Sequence, residues 1–508
     1  MTDIYASARQ VIVCINPGGN PGRCAAVRSV VRYMAVVPSL VGGENRITRG
    51  TVANKIAERY GYNAADGTGP SQEWEAFVEF LSDRWFSRVW VVQEVAMASF
   101  VEVVIGDLHI GWSLMRDAII NAYESGAVEM SNNFAKQDGA AIFSQMLELR
   151  RYIAAGQPPD LAAVLATFRA CQSTEAKDKV WALIGVSKAA SNGTEPIRGL
   201  DYADEPAELV VKIARYLVER GDYLRVVFAA GIGWREDQRK GVPSWVPDWT
   251  RAPPEHGYKL SAYNGASFSA SPRNRPSELA ASPDGMELSA VGWRIGCITQ
   301  LTDPFSPGGG YTPGGFNVEA SRRISPWLVE ARRLAGTIPL VDTRARSEAD
   351  EACYSLNEMF GLTITAGRNK ESKFLSREEI ARVLLWEALV TGDERELSRR
   401  LAGVQDRVGP TEELVETVKL CGVTPWFNSA CLGARFALMD YSHFCLVPSV
   451  AKKGDLVCVL AGAEVPLLLR PTDGNSSRYQ LIGECFVMGI MHGEMVEDYG
   501  EAETFLLC

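Results

Sequence analysis

The sequence predicts an α/β unit at the N-terminus, a helical α+β middle and a β-rich C-terminal meander or barrel. Three observations carry this. VIVCI at residues 11–15 is a continuous β-rich run closed by NPGGNPG, which reads as a buried strand entering a loop. Residues 71–98, 140–190, 205–222, 325–336 and 376–420 read as helices. In the last 70 residues or so the apolar residues fall into short runs, punctuated by Lys453-Gly454-Asp455 and Asp473-Gly474-Asn475.

The elements follow in order. Residues 71–83 (SQEWEAFVEFLSD) read as a helix that feeds RWFSRVWVVQEVAMA at 84–98. SFVEVVIGDLHIGW at 99–112 alternates as a strand does and turns at Gly106-Asp107. Residues 140–190 are helix-rich, and EPAELVVKIARYLVERGD at 205–222 is an amphipathic helix closed by Gly221. From 251 to about 283 Pro, Ser, Asn and Gly predict a long loop, and DPFSPGGGYTPGG at 303–315 a second. Helices return at 325–336 and 376–420. Residues 441–495 are expected to form an antiparallel meander turning at Gly454-Asp455 and near Gly474-Asn475. The boundaries expected are 1–112, 113–250, 251–430 and 431–508.

Composition bounds the function. With 508 residues, 46% hydrophobic and 22% charged, the chain has the make-up of an ordinary globular protein, of roughly two to four domains or one large multilayer body. A net charge of −10, with no dense basic run, argues against nucleic acid and anionic membranes as partners. Eleven scattered cysteines without a C-x-x-C, and four histidines without ligand spacing, predict no metal site and reduced thiols in the cytoplasm. Neither a signal peptide nor a spanning segment is legible. NPGGNPG lacks the spacing of a phosphate-binding loop, and no nucleophile elbow occurs.

The segment 84–98 is the most informative. At helical spacing Trp85, Val89, Val92 and Ala96 form one stripe, and Trp90, Glu94 and Met97 a second row, with Val91 and Val95 on the flank. A helix apolar nearly all round is expected to be buried, which makes the charge of Glu94 costly unless it is paired. Glu94 is therefore either a structural partner of Arg88, Arg84 or Arg169, or a working acid.

These residues resemble the W-F-x-R-x-W-x-x-Q-E signature of the fungal heterokaryon incompatibility (HET) domain. IYASARQVIVCIN at 4–16 is similar to its I-Y-x-x-A-x-x-V-x-V-W-L-G segment, with Cys14, Ile15 and Asn16 replacing the last three residues. RACQSTEAKDKVWALIGV at 169–186 resembles the next block, keeping Arg169, Asp178, Lys179 and Gly185. Asp201-Tyr202 and VPSWVPDW at 242–249 resemble the D-Y and P-S-W-x-P-D-W elements. The tail resembles the closing G-D-x-V, P-x-L-R and G-E-x-Y-V-x-G-x-M-x-G-E blocks. The family's opening S-Y-x-W-G and W-I-D-x-x-C-I-N-Q motifs have no counterpart, so the chain is expected to lack roughly the first half of the domain.

The resemblance implies a truncated unit of flavodoxin-like fold, similar to Toll/interleukin-1 receptor (TIR) domains. It implies vegetative (heterokaryon) incompatibility and programmed cell death signalling through contacts with other proteins, self-association among them, with no cofactor. Enzymatic TIR domains carry a W-x-x-x-E element whose glutamate serves NAD cleavage, and Trp90 and Glu94 have that spacing. The rival implied is thus a TIR-like hydrolase taking NAD as substrate, with Glu94 and Trp90 catalytic and activity weak or absent in a truncated form. In such a site the carboxylate stabilises an oxocarbenium-like ribose. A small-molecule biosynthetic enzyme on the same scaffold is the third alternative. Without a ligand, VPSWVPDW reads as a packing clasp, Asp178-Lys179 and Asp201-Tyr202 as helix caps or turn anchors, and His492-Gly493-Glu494 as a strand-end turn.

Overall fold

A computed structural model describes residues 2–15, 21–41, 49–61, 71–106, 108–125, 138–191, 197, 199–234, 241–253, 260, 268–272, 278–306, 318–338, 354–368, 373–392, 395, 397, 399, 423–440, 443–472, 478–494 and 500–508. The expected turn at Gly474-Asn475, the glycines at 308–310 and the helical extension over 400–420 lie outside these residues. The chain divides into two compact units, one built mainly of Met1–Tyr202, the other of Ala203–Asp248 and most of the chain after Ala252.

The first unit runs α1 (Thr2–Ser7), β1 (Val11–Ile15), α2 (Pro21–Val41), α3 (Arg49–Tyr60), α4 (Gln72–Leu81), α5 (Arg84–Ser87) and α6 (Val89–Met97). It continues with β2 (Val101–Ile105), β3 (Leu108–Gly111), α7 (Trp112–Glu124), α8 (Asp138–Ala154), α9 (Leu161–Thr167), α10 (Asp178–Ile184) and α11 (Lys188–Ser191). β1 and β2 pair in parallel from Val11↔Val101 to Ile15↔Ile105, the helices between them forming the crossover. β3 returns antiparallel, and Gly106 at φ +59° makes the tight hairpin possible. The expectation of a wholly buried β1 is corrected. Val13 and Ile15 are buried, whereas Ile12 and Cys14 are exposed, because among the described residues helices cover one face of this sheet only.

An aromatic ladder runs through the core of this unit. Tyr60 stacks on Trp74 at 5.4 Å, Trp74 meets Phe77 at 5.6 Å, Phe80 meets Phe86 at 5.3 Å, and Phe86 meets Phe143 of α8 at 5.9 Å. Such pairs add about 0.5–1.5 kcal/mol each beyond the area they bury. Gly139 lets α8 approach the end of α4 so closely that a Cβ there would lie 2.1 Å from the Leu81 carbonyl oxygen.

The second unit opens with α12 (Pro206–Glu219), amphipathic as expected and followed by Gly221 at φ +89°, and α13 (Tyr223–Phe228). Then come β4 (Leu279–Ala281), β5 (Leu288–Leu301), α14 (Val318–Ala335), α15 (Leu356–Thr363), α16 (Arg377–Thr391) and α17 (Val423–Cys431). β6 (Ala434–Met439), β7 (Phe444–Pro448), β8 (Leu456–Leu460), β9 (Leu467–Pro471), β10 (Arg478–Glu484), β11 (Phe486–Val487) and β12 (Glu503–Leu507) complete it. A capping box of Ser376 and Glu379 starts α16, and Gly392 in the left-handed region ends it.

The C-terminal strands are more than a meander. β8, β9 and β10 follow one another antiparallel as expected, but β7 pairs with β6 and β11, not with β8. β12 lies parallel to β10 and antiparallel to β5, and β5 also pairs with β8, so β5-β12-β10-β9-β8 closes on itself as a barrel. The closing strand β5 comes from far upstream, where the loop signals around it concealed its role.

Candidate functional site

The signature segment is not one helix. Asp83 caps α5 by accepting the Trp85 N–H at 2.8 Å, and Arg88 then turns extended at φ −76°, ψ 129°. The cause is a short parallel bridge from Arg88 to Gln172: the Val89 N–H donates to the Gln172 carbonyl at 2.9 Å, and the Gln172 N–H to the Ser87 carbonyl at 2.6 Å. At the other end Arg150 of α8 donates to the Val95 and Ser99 carbonyls at 2.5 and 3.4 Å, placing a cation at the negative pole of α6. Burial there pushes the Arg150 guanidinium below its ordinary pKa.

The expectation of a helix buried all round, Glu94 with it, is corrected: one row is buried and the other is not. Trp85, Val89, Val91, Val92, Val95 and Ala96 are buried, but Trp90, Glu94 and Met97 are partly exposed. The polar side chain that α6 does bury is Gln93, 1% exposed, whose Nε2 donates to the Ala182 carbonyl of α10 at 2.7 Å. Sequence reasoning passed over Gln93. Its signal was its place beside Val89, Val92 and Ala96 on the inner side.

The expected arginine partner of Glu94 is also corrected. Its described partner is Tyr5, whose hydroxyl donates to Oε1 at 3.3 Å, since α1 packs against α6. Burial, then the Glu94 charge and hydrogen bond, raise the Tyr5 phenol, against a smaller lowering from Arg88. Trp90 joins a different cluster. Its Nε1 donates to Asp178 Oδ2 at 3.0 Å, while the Tyr202 hydroxyl donates to Asp178 Oδ1 at 2.8 Å. Lys177 donates to the Tyr202 carbonyl at 2.6 Å, its ammonium lies 4.8 Å from the Tyr202 ring centre, and Trp181 stands 5.9 Å from that ring. Trp90, Asp178 and Tyr202, from three separate sequence blocks, thus meet at one partly exposed place.

Chemically the two halves differ. Asp178 has an aromatic donor on each oxygen and serves as an anchor. Glu94 has a single long hydrogen bond from a neutral phenol among the described residues, which leaves a carboxylate able to meet a cation or a hydroxyl.

In the second unit the sequence blocks form clasps. Ser244 is fully buried. Its hydroxyl donates to the Cys508 carbonyl and accepts the Leu481 N–H at 2.8 Å, and its backbone N–H also reaches the Cys508 carbonyl, at 2.9 Å. Trp245 is buried as well, and so is Trp249, which belongs to the first unit. Asp455 and Arg470 make a two-point ion pair. The His492 N–H donates to Glu494 Oε2 at 2.7 Å, which closes the strand-end turn. Among the described residues no group of three or more His, Cys, Asp or Glu is placed to hold a metal ion, and no helix is long and apolar enough to cross a membrane.

Two families match the chain: heterokaryon incompatibility protein (HET) over residues 1–94, and the Het-6 beta-barrel domain over residues 428–508. A relative is heterokaryon incompatibility protein 6, OR allele, of Neurospora crassa, 21% identical over the whole of this chain and 79% of its own length. No solved structure matches.

Proposed function

Because the chain is a HET-domain-containing protein, we propose that it acts in fungal heterokaryon incompatibility, as a signalling component that works through protein contacts and leads to cell death. The relative's name supports the general role. The observation that carries the contact reading is the Trp90–Asp178–Tyr202 cluster. Tyr202 is 49% exposed, and aromatic side chains held rigid at a surface are what protein interfaces enrich. We take the first unit as TIR-like and flavodoxin-like, which the parallel β1–β2 pair with its helical crossover supports. The same reading places the chain in the cytoplasm.

The test is a heterokaryon assay in the fungus that carries the gene. Expression of the chain in an incompatible pairing should trigger cell death, and Tyr202→Ala should reduce it while the protein still accumulates. Survival of both pairings regardless of the chain would reject the role.

A second reading, NAD cleavage, is favoured by one observation: Glu94 is partly exposed and joined to a tyrosine instead of an arginine. A nicotinamide-release assay on the purified chain decides it. Turnover lost in Glu94→Gln would support hydrolysis, and no turnover by the native chain would remove it.

A further inference from the structure

Among the described residues β1 is an edge strand of the sheet β1-β2-β3. The Val11 N–H donates to the Phe100 carbonyl at 2.9 Å, and the Ile15 carbonyl accepts the Gly106 N–H at 3.3 Å. The backbone groups of Val11, Val13 and Ile15 therefore face β2. Those of Ile12 and Cys14 face the opposite way, where no described strand pairs with them. The side chains of Ile12, 57% exposed, and Cys14 stand on the sheet face that no described helix covers.

The other edge of the sheet is unlike it. β3 is one residue shorter and carries His109, whose Nδ1 lies 2.7 Å from Glu102. Charge and shortness are the usual guards of an edge strand, and β1 has no charge in VIVCI and no proline.

We propose that β1 pairs antiparallel with β1 of a second copy about a two-fold axis at Val13. Ile12 then lies opposite Cys14 of the second copy, and Cys14 opposite its Ile12. Both are the residues whose N–H and C=O point outward, so each opposed couple exchanges two main-chain hydrogen bonds. A register one residue away would oppose outward-facing groups to inward-facing ones. The neutral strand meets its own copy without a charge mismatch, and such an isologous contact closes as a dimer and does not propagate. The two three-stranded sheets become one of six. Only a short strand is buried, so the dimer should be weak and reversible, with a dissociation constant on the order of micromolar. It depends on β1 alone, so a monomeric chain would leave the incompatibility role standing.

Sedimentation velocity on the full chain across the micromolar range tests this. The native chain should shift from monomer to dimer. Ile12→Lys, and Ile12→Pro, which removes an outward N–H that the chain's own sheet does not use, should each weaken the dimer by at least about tenfold. A short bismaleimide should link native chains through Cys14, and Cys14→Ser should abolish the linked band. If the proline variant loses its native circular dichroism, the lysine variant and the cross-link decide. A native chain that stays monomeric, or a dimer untouched by Ile12→Lys, or a cross-link that survives Cys14→Ser, would overturn the proposal.

Discussion

Arg470 holds Asp455 at two points, Nε to Oδ1 at 2.7 Å and Nη2 to Oδ2 at 2.8 Å. The carboxylate is 2% exposed and also accepts the Lys452 N–H at 2.7 Å, while Arg470 reaches the Val450 carbonyl at 3.0 Å. The G-D and P-x-L-R blocks of the tail are thus the two halves of one clasp, tying the turn before β8 to the end of β9.

Arg470→Ala should be among the most damaging single changes in the barrel. It strands a buried carboxylate, which costs about 3–5 kcal/mol when a partner of a buried pair is removed. Urea unfolding followed by far-UV circular dichroism should show the barrel transition at markedly lower denaturant. An unchanged midpoint would mean that water reaches Asp455.

Ser244→Ala should destabilise the same unit more mildly. The Leu481 N–H loses its acceptor inside the protein, and an unsatisfied buried donor costs about 1–3 kcal/mol. Limited proteolysis should then find the C-terminus, anchored through the Cys508 carbonyl, more open to cleavage than in the native chain. Equal resistance of the two forms would show that the loop does not hold the terminus.

These clasps mark how far the sequence could be read. The spacing within 84–98 separated Val89, Val92 and Ala96 from Trp90, Glu94 and Met97, because helical periodicity is local. It did not tell which row faces outward, since that depends on what packs against α6: Tyr5 from one side, Asp178 and Ala182 from another. The break at Arg88 was illegible for the same reason, being made by Gln172, a residue 84 positions downstream. Likewise the short strands β8, β9 and β10 were legible from their apolar runs, but the turn expected at Gly454-Asp455 leads into β8 without joining it to β7, and β5 was not legible. Its partners in the ring lie more than 150 residues away, and no local pattern encodes such a pairing.

Tyr202 offers a direct probe of the aromatic anchor. Its hydrogen bond to Asp178 raises the phenol above the ordinary tyrosine pKa, with burial and the charges of Asp178 and Glu175 adding to the effect. The bond needs the protonated phenol, so it holds below that ordinary value and is lost as pH rises through the raised one. In Asp178→Asn the phenol should titrate at lower pH than in the native chain, as read by tyrosinate absorbance against a Tyr202→Phe blank. An identical titration in both forms would show that the bond is absent in solution.

The last prediction concerns acid. His443 begins the β7 side of the β6–β7 hairpin, where its carbonyl accepts the Met439 N–H at 3.0 Å. Burial lowers its pKa below the ordinary histidine value, outweighing the opposing pull of Asp440 through its backbone and its charge. The unfolded chain therefore binds a proton at a pH where the folded chain does not, and stability rises with pH across that interval. The contribution is complete above the unfolded histidine value of about 6.5 and is lost as pH falls toward the depressed folded value. Thermal unfolding of the native chain and of His443→Gln, compared from pH 7.5 to 5.5, isolates the effect from the carboxylates, which titrate alike in both. The native chain should lose ground to the variant as the solution is acidified. A difference in melting temperature that stays constant over that range would show that His443 is solvated and takes up its proton without opposing the fold.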